Sequence, residues 1–402
     1  MKNFKLMLPI VILALGACSS EEVVRDAIAS DHAFQEIGMM PEVGKKTRGT
    51  EITNTSIKEF HALVGGTYRA NSSADPGSAS TEIWVSNTAG SNVSGKWVSY
   101  NKDDHSTEQK LYWGDDADEA TFLAWTGEGT NAISGSYATI PFTVADDVDD
   151  QTDLIVAYNA GKRTDFTGSK VPLHFRHALA QIRFKAQYDY VTPDDGVVGQ
   201  EKIRINVCGV KICNLGNANT LTMPTTATTD GEKDIVNSDW GTVSGTKDYS
   251  IGYTTAKTLS STAQYIDDNK PMLLIPQTVT AASPTGFTSI PVTGAYIGVY
   301  VNIVQEESTS TAVYPKDAAA ATPGYAYAVI PVNPTWEAGK KYTYIMKFTN
   351  QSAGRIDPAT TAAQIPDGKS AGDPIIKGVI PITFEVTVED WDDTAGDTDI
   401  NM

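Results

Sequence analysis

Cysteine, histidine and basic charge are scarce in this sequence. Only three cysteines occur among 402 residues, at positions 18, 208 and 213. That is too few for a disulfide framework or a cysteine-rich metal site. Cys208 and Cys213 are five positions apart. On one strand that separation is about 16 Å at roughly 3.3 Å per residue, and a disulfide needs Cα atoms within about 7 Å. Both therefore read as packing or partly exposed thiols. Five histidines leave few general bases and metal ligands. His174 and His177, three apart, point to opposite faces of a strand and cannot share a metal ion without a bend. Lys and Arg number 31 against 49 Asp and Glu, a net charge of −18. That balance disfavours binding to nucleic acid and to an anionic membrane surface.

Catalytic signatures are missing too. Neither G-x-S-x-G nor H-E-x-x-H occurs. Gly90 to Lys96 matches the first seven positions of a P-loop, but Trp97 stands where Ser or Thr would hold Mg²⁺, so a polar hairpin loop is the simpler reading. The acidic run Asp146 to Asp150 and the C-terminal Asp397, Asp399 and Asn401 lack the Gly and distal Glu of a calcium loop. They read as solvated carboxylates. No catalytic residue, metal or other cofactor is expected.

What the sequence does have is an export signal and a β pattern. Lys2 and Lys5 precede an apolar run, Leu6 to Leu15, of about ten residues, too short to span a bilayer. Leu15-Gly16-Ala17-Cys18 follows, the small-residue context of a lipoprotein signal peptidase. Residues 1–17 thus read as a lipoprotein signal peptide and Cys18 as a lipidation site, which makes the mature chain membrane-anchored and extracytoplasmic. Residues 18–48 read as a lipidated propeptide or tether, with a strand over Phe34 to Met40 and on to Val43. Lys45-Lys46-Thr47-Arg48-Gly49 is basic, polar and exposed in character, a target for a trypsin-like protease. Ser56 to Glu59 fits a capping box and predicts a short helical turn, with Ile57, Phe60 and Val64 on one side.

Beyond that point the chain reads β. Apolar residues make up 41% of it, enough for a real core. Thr, which favours strands, is roughly one residue in nine. Apolar side chains alternate at Ala180, Ile182, Phe184 and Ala186; at Ile297, Val299, Val301 and Ile303; at Tyr342, Tyr344, Met346 and Phe348; and at Ile382, Phe384, Val386 and Val388. Parity breaks between Val207 and Val210, with Gly209 between them, which predicts a β-bulge. Trp391 falls on the Thr/Glu face of the last strand unless that strand is bulged. Turn-rich 191–196 suggests domains of 49–190 and 191–402. Thr/Ser/Ala/Gly-rich 216–250 and 306–324 read as long surface loops. The pattern favours packed antiparallel sandwiches.

Five stretches, in order, resemble the fimbrillins, the lipoprotein pilins of Gram-negative anaerobes. The first is the Thr47-Arg48-Gly49 junction with the segment after it. Next comes Asp153 to Ala157 with Val171 to Ala180. Met272 to Gln277, Trp336 to Tyr344 and Val386 to Trp391 follow. The resemblance implies two tandem transthyretin-like antiparallel β-sandwich domains, with long polar loops and no enzymatic activity. It implies a precursor lipidated at Cys18, exported to the outer-membrane surface and cut between Arg48 and Gly49 by a trypsin-like protease. The strand Phe34 to Val43 is then removed and replaced by a strand from another subunit, self or accessory. The segment from Ile380, carrying Ile382, Phe384, Val386 and Val388, is either that donor strand or the last strand of its own domain. The resemblance leaves shaft, tip and anchor roles open. The alternative function is a monomeric surface lipoprotein that binds a glycan or host ligand, with Trp84, Trp97, Trp113 and Trp125 as candidate platforms.

Overall fold

A computed structural model describes residues 35–43, 57–70, 80–88, 96–114, 118–127, 132–134, 137–192, 201–224, 233–307, 311–376 and 382–391. Cys18, Arg48 and Gly49, most of the P-loop-like segment and the C-terminal acidic residues lie outside them. The first strands are β1 (Gly38–Val43), β2 (Glu59–Gly66), β3 (Tyr68–Ala70), β4 (Thr81–Asn87), β5 (Trp97–Asn101), β6 (Leu111–Trp113), β7 (Glu119–Trp125), β8 (Ala132–Ser134) and β9 (Tyr137–Thr143). Then come β10 (Ile155–Lys162), β11 (Lys170–His177), β12 (Ala180–Asp189), β13 (Ile203–Leu215), β14 (Ala218–Pro224), β15 (Lys247–Thr258), β16 (Gln264–Tyr265) and β17 (Met272–Leu274). The last are β18 (Tyr296–Gln305), β19 (Ala312–Tyr314), β20 (Ala326–Pro331), β21 (Lys340–Thr349), β22 (Arg355–Ile356) and β23 (Thr383–Asp390). Helix, among the described residues, is limited to single 3-10 turns. The chain is all-β.

One sheet has the order β1-β11-β10-β7-β2-β4-β5. Its inner strands are buried on both sides, which is why Leu154 to Tyr158 is a continuous apolar run rather than an alternation. One face carries Phe60, Val64, Phe122 and Ala157 into a core shared with β1 and the β3–β6 ribbon. The opposite face sends Leu63, Leu123, Trp125 and Val156 into the main core. There the sheet β16-β12-β21-β23, with β17 also on β12, faces β15-β13-β18-β20-β22. Ile182, Phe184, Tyr344 and Met346 meet Ile205, Val207, Val299 and Val301 in that core. The alternations read from the sequence supply these inward residues.

The bulge at Gly209 is present. The register of β13 shifts between Val207 and Gly209 against both β15 and β18. A Cβ at Gly209 would lie 2.6 Å from the Ile251 carbonyl oxygen, so no larger residue fits. Cys208 and Cys213 are free thiols on this strand, and burial pushes the Cys213 thiol up to about 12.

Two expectations fail. The helical turn begun at Ser56 is not formed over the described residues: Glu59–Gly66 is a strand, flanked by β4 and β7. Phe60, Ala62 and Val64 bury one face and Leu63 the other, and sheet pairing on both sides outweighs a local cap. The segment 216–250 is not simply a loop. Asn219 to Met223 pairs with β9 in antiparallel register, Leu221 opposite Ile140, and Leu221, Met223 and Trp240 are core residues. The Trp240 indole N–H donates to the Ala178 carbonyl at 3.0 Å.

Candidate assembly site

Among the described residues strand β1 sits at the edge of the first sheet and pairs with β11, in parallel, from Gly38 opposite Lys170 to Val43 opposite Phe175. Its sequence alternates, so Ile37, Met39, Pro41 and Val43 turn inward while Glu36, Met40 and Glu42 face solvent. The inward residues meet Val171, Leu173 and Phe175 of β11 and Trp113 of β6. Burial of an apolar side chain of this size contributes about 1.5–3 kcal/mol, so the strand is well seated. Just before β1 the chain bridges the β6 ribbon. The Ile37 N–H donates to the Leu111 carbonyl at 2.8 Å, and the Trp113 N–H donates to the Gln35 carbonyl at 3.0 Å. Arg163 donates from Nη1 to Gln35 Oε1 at 2.7 Å. The surface pairs His174–Glu42 at 3.3 Å and Lys110–Glu36 at 3.4 Å add little to this. The basic junction at 44–49 falls between two buried anchors, Val43 and Ile57.

Strand β23 is the opposite case. Among the described residues it lies at the edge of its sheet, paired antiparallel with β21, Lys340 opposite Asp390 and Lys347 opposite Thr383. Val386 is 38% and Val388 54% exposed, Phe384 is half-buried, and the Thr/Glu face is exposed as well. Ile382 and Trp391, at the two ends, are buried. Lys340 pairs with Asp390 and Lys347 with Glu385 on the surface. Ile382 and Phe384 also line a cavity of about 420 Å³ with Val329, Ile330, Pro331 and Ile376. An edge strand that shows apolar side chains and open main-chain groups is suited to pairing with another chain.

Trp391 does not share the exposed Thr/Glu face. It follows the last strand residue and folds inward, its main-chain N–H donating to the Gly339 carbonyl at 2.7 Å. Its ring stacks on His177, with centroids 4.0 Å apart and planes 2° from parallel. His177 Nδ1 is 2.7 Å from Asp153 Oδ2, and both side chains are buried. His174 faces the other way, toward β1, as strand geometry requires. Among the described residues no three His, Cys, Asp or Glu are grouped to hold a metal ion. The Asp153–His177–Trp391 cluster was not visible in the sequence. Its only trace there was the parity of Trp391.

The four candidate tryptophans divide. Trp113 and Trp125 are core residues. Trp97 is half-buried and packs on Phe60 at 5.4 Å. Trp84 is half-buried under His105, which stacks on it at 4.2 Å and 4°. Buried Trp113 and Trp125 offer no ring face of the kind a sugar platform needs.

No curated protein matches the chain. Among solved structures, a candidate cell adhesion protein from Bacteroides uniformis is 16% identical, with a TM-score of 0.37 and coverage of 89% of this chain and 99% of that one. A candidate cell adhesion protein from Parabacteroides distasonis is 9% identical, with a TM-score of 0.40 and coverage of 90% and 99%. A fimbrial assembly protein from the same species is 9% identical, with a TM-score of 0.31 and coverage of 78% and 92%. The profile of the fimbrillin-like family matches residues 69–391, most of the described fold from β3 to Trp391. The chain belongs to the fimbrillin-like family.

Proposed function

We propose that this protein is a structural subunit of a cell-surface fimbrium, assembled by exchange of strands between subunits and serving adhesion. What supports the reading is β1: an edge strand of the described sheet, with inward Ile37, Met39, Pro41 and Val43, and with the basic sequence Lys45-Lys46-Thr47-Arg48 following soon after its end. The precursor is lipidated at Cys18, held at the outer membrane and cut after Arg48 by a trypsin-like protease. The cut leaves β1 bound only by non-covalent contacts. Its departure bares Val171, Leu173 and Phe175 of β11, a groove that an incoming strand re-covers by main-chain pairing and alternate side chains. Strand β23 is the donor. Ile382, Phe384, Val386 and Val388 repeat the spacing of Ile37, Met39, Pro41 and Val43, and no residue from Thr383 to Asp390 is fully buried at home. The partners are further copies or accessory pilins, with no role for nucleic acid.

The test is limited trypsin digestion of the soluble chain, with Cys18 replaced, followed by gel filtration and denaturing gels. Cleavage after Arg48 should yield a ladder of heat-stable polymers, and a synthetic peptide of residues 35–43 added in excess should stop its growth. A trimmed chain that stays monomeric at every concentration, with or without the peptide, would overturn the reading and favour the monomeric surface binder.

A further inference from the structure

At home β23 is paired to β21 along its length, but its side-chain burial is concentrated at the two ends. Every residue from Thr383 to Asp390 is at least partly exposed, and the flanking Ile382 and Trp391 are buried. Ile382 enters the lining of the apolar cavity. Trp391 crosses to residues that come from far earlier in the chain, His177 at the end of β11 and Asp153 just before β10.

From this geometry we infer that Trp391 is a releasable latch, stacked on the buried His177–Asp153 pair, that keeps β23 at home until assembly. Three features support a latch rather than a permanent clasp. The contact is ring on ring, 4.0 Å between centroids and 2° from parallel, so it gives packing without directional hydrogen bonding. The Trp391 indole N–H is buried and has no hydrogen-bond partner among the described residues. When the ring leaves, no side-chain hydrogen bond is broken and the N–H regains water. The receiving side is independently braced: the imidazole is fixed by Asp153 at 2.7 Å, and the Gly339 N–H donates to the Leu179 carbonyl at 2.9 Å. The seat therefore persists when the ring is gone. The latch also joins the two exchange elements. β11 receives β1 along its edge and holds the end of β23 at its last residue, His177.

The inference rests on reading β23 as the donated strand, so its test separates the two. Hydrogen exchange of the untrimmed chain is followed by mass spectrometry in the wild type, Trp391→Ala and Trp391→Phe. In Trp391→Ala the amides of 383–390 should exchange about tenfold faster or more, while those of β12 and β13 keep their protection. Trp391→Phe, which can still stack, should restore much of the difference. Equal exchange of 383–390 in all three proteins would overturn the latch, and so would faster exchange throughout the chain, which would make Trp391 an ordinary core residue. The same variants are then trimmed after Arg48. If Trp391→Ala frees β23 but no trimmed protein assembles, the donor reading falls and the latch stands. If trimmed wild type assembles and Trp391→Ala assembles faster, both stand.

Discussion

Lys211 and Asp357 form an ion pair at 2.6 Å inside the second half of the protein, with side chains 14% and 2% exposed. The ammonium also lies 4.2 Å from the Tyr327 ring centre, a further contribution that depends on charge. A pair this deep does not add stability in proportion to its contact, because both charges were first taken out of water. Removing one partner is the costly step. Lys211→Met should lose about 3–5 kcal/mol, since the Asp357 carboxylate is then buried without a counter-charge. Lys211→Met combined with Asp357→Asn should recover at least half of that loss, because the amide oxygen can still accept the Ala359 N–H at 2.8 Å. Urea unfolding of the wild type and the two variants measures this. Equal losses for the single and double variants would mean that the charge balance is irrelevant at this site.

At the scale of the element, β1 and β23 divide the work differently although their patterns look alike. Both carry four alternating apolar residues. In β1 these residues are spent on the core, and in β23 two of the four lie in solvent. Val386→Glu with Val388→Glu should therefore leave the stability of the untrimmed monomer within about 0.5 kcal/mol of wild type, yet abolish assembly of the trimmed protein, because the same positions must enter an apolar groove. Thermal unfolding and gel filtration check the two halves of that statement. Normal assembly of the doubly substituted protein would assign the donor role to another strand.

Alternation made these strands legible in the sequence, and the Gly209 bulge was legible because parity changed across a single glycine. Alternation does not say which faces are covered. Val386 and Val388 have the same pattern as Val299 and Val301, and the sheet order alone puts one pair at an edge and the other in the middle. Ile57, Phe60 and Val64 fit a helical spacing, and Ala62, which completes a period of two with Phe60 and Val64, is too small to weigh in the pattern. Leu221 and Met223 were hidden among threonines because the strand that gives them meaning, β9, lies some eighty positions earlier. Asp153 and His177 come from the two halves of one stretch of the family resemblance and Trp391 from the last of the five. Trp240 and Gly339 bond to the same corner at Ala178 and Leu179. The stretches were recognisable one by one, but their meeting point is a tertiary property.

For the whole molecule the dominant quantity is charge. The chain carries −18, and residues 1–48 hold six basic and six acidic residues, so trimming after Arg48 leaves the charge unchanged. Each subunit that approaches a growing end thus meets a like-charged body, and the repulsion is felt over the Debye length, about 30 Å at 0.01 M salt and about 8 Å at 0.15 M. The bonds that form afterwards are main-chain hydrogen bonds and buried apolar contacts, which salt screens little. Assembly should accordingly be slow at low salt and speed up by several-fold to about tenfold between those two conditions. Polymers already formed should survive dilution back to low salt, because the strand is by then seated. Light scattering of freshly trimmed protein at one concentration and several NaCl levels measures the first effect, and gel filtration after dilution the second. An initial rate that falls as salt rises would mean that complementary charge patches guide subunit encounter, and that net charge does not set the rate at which a fimbrium of this protein grows.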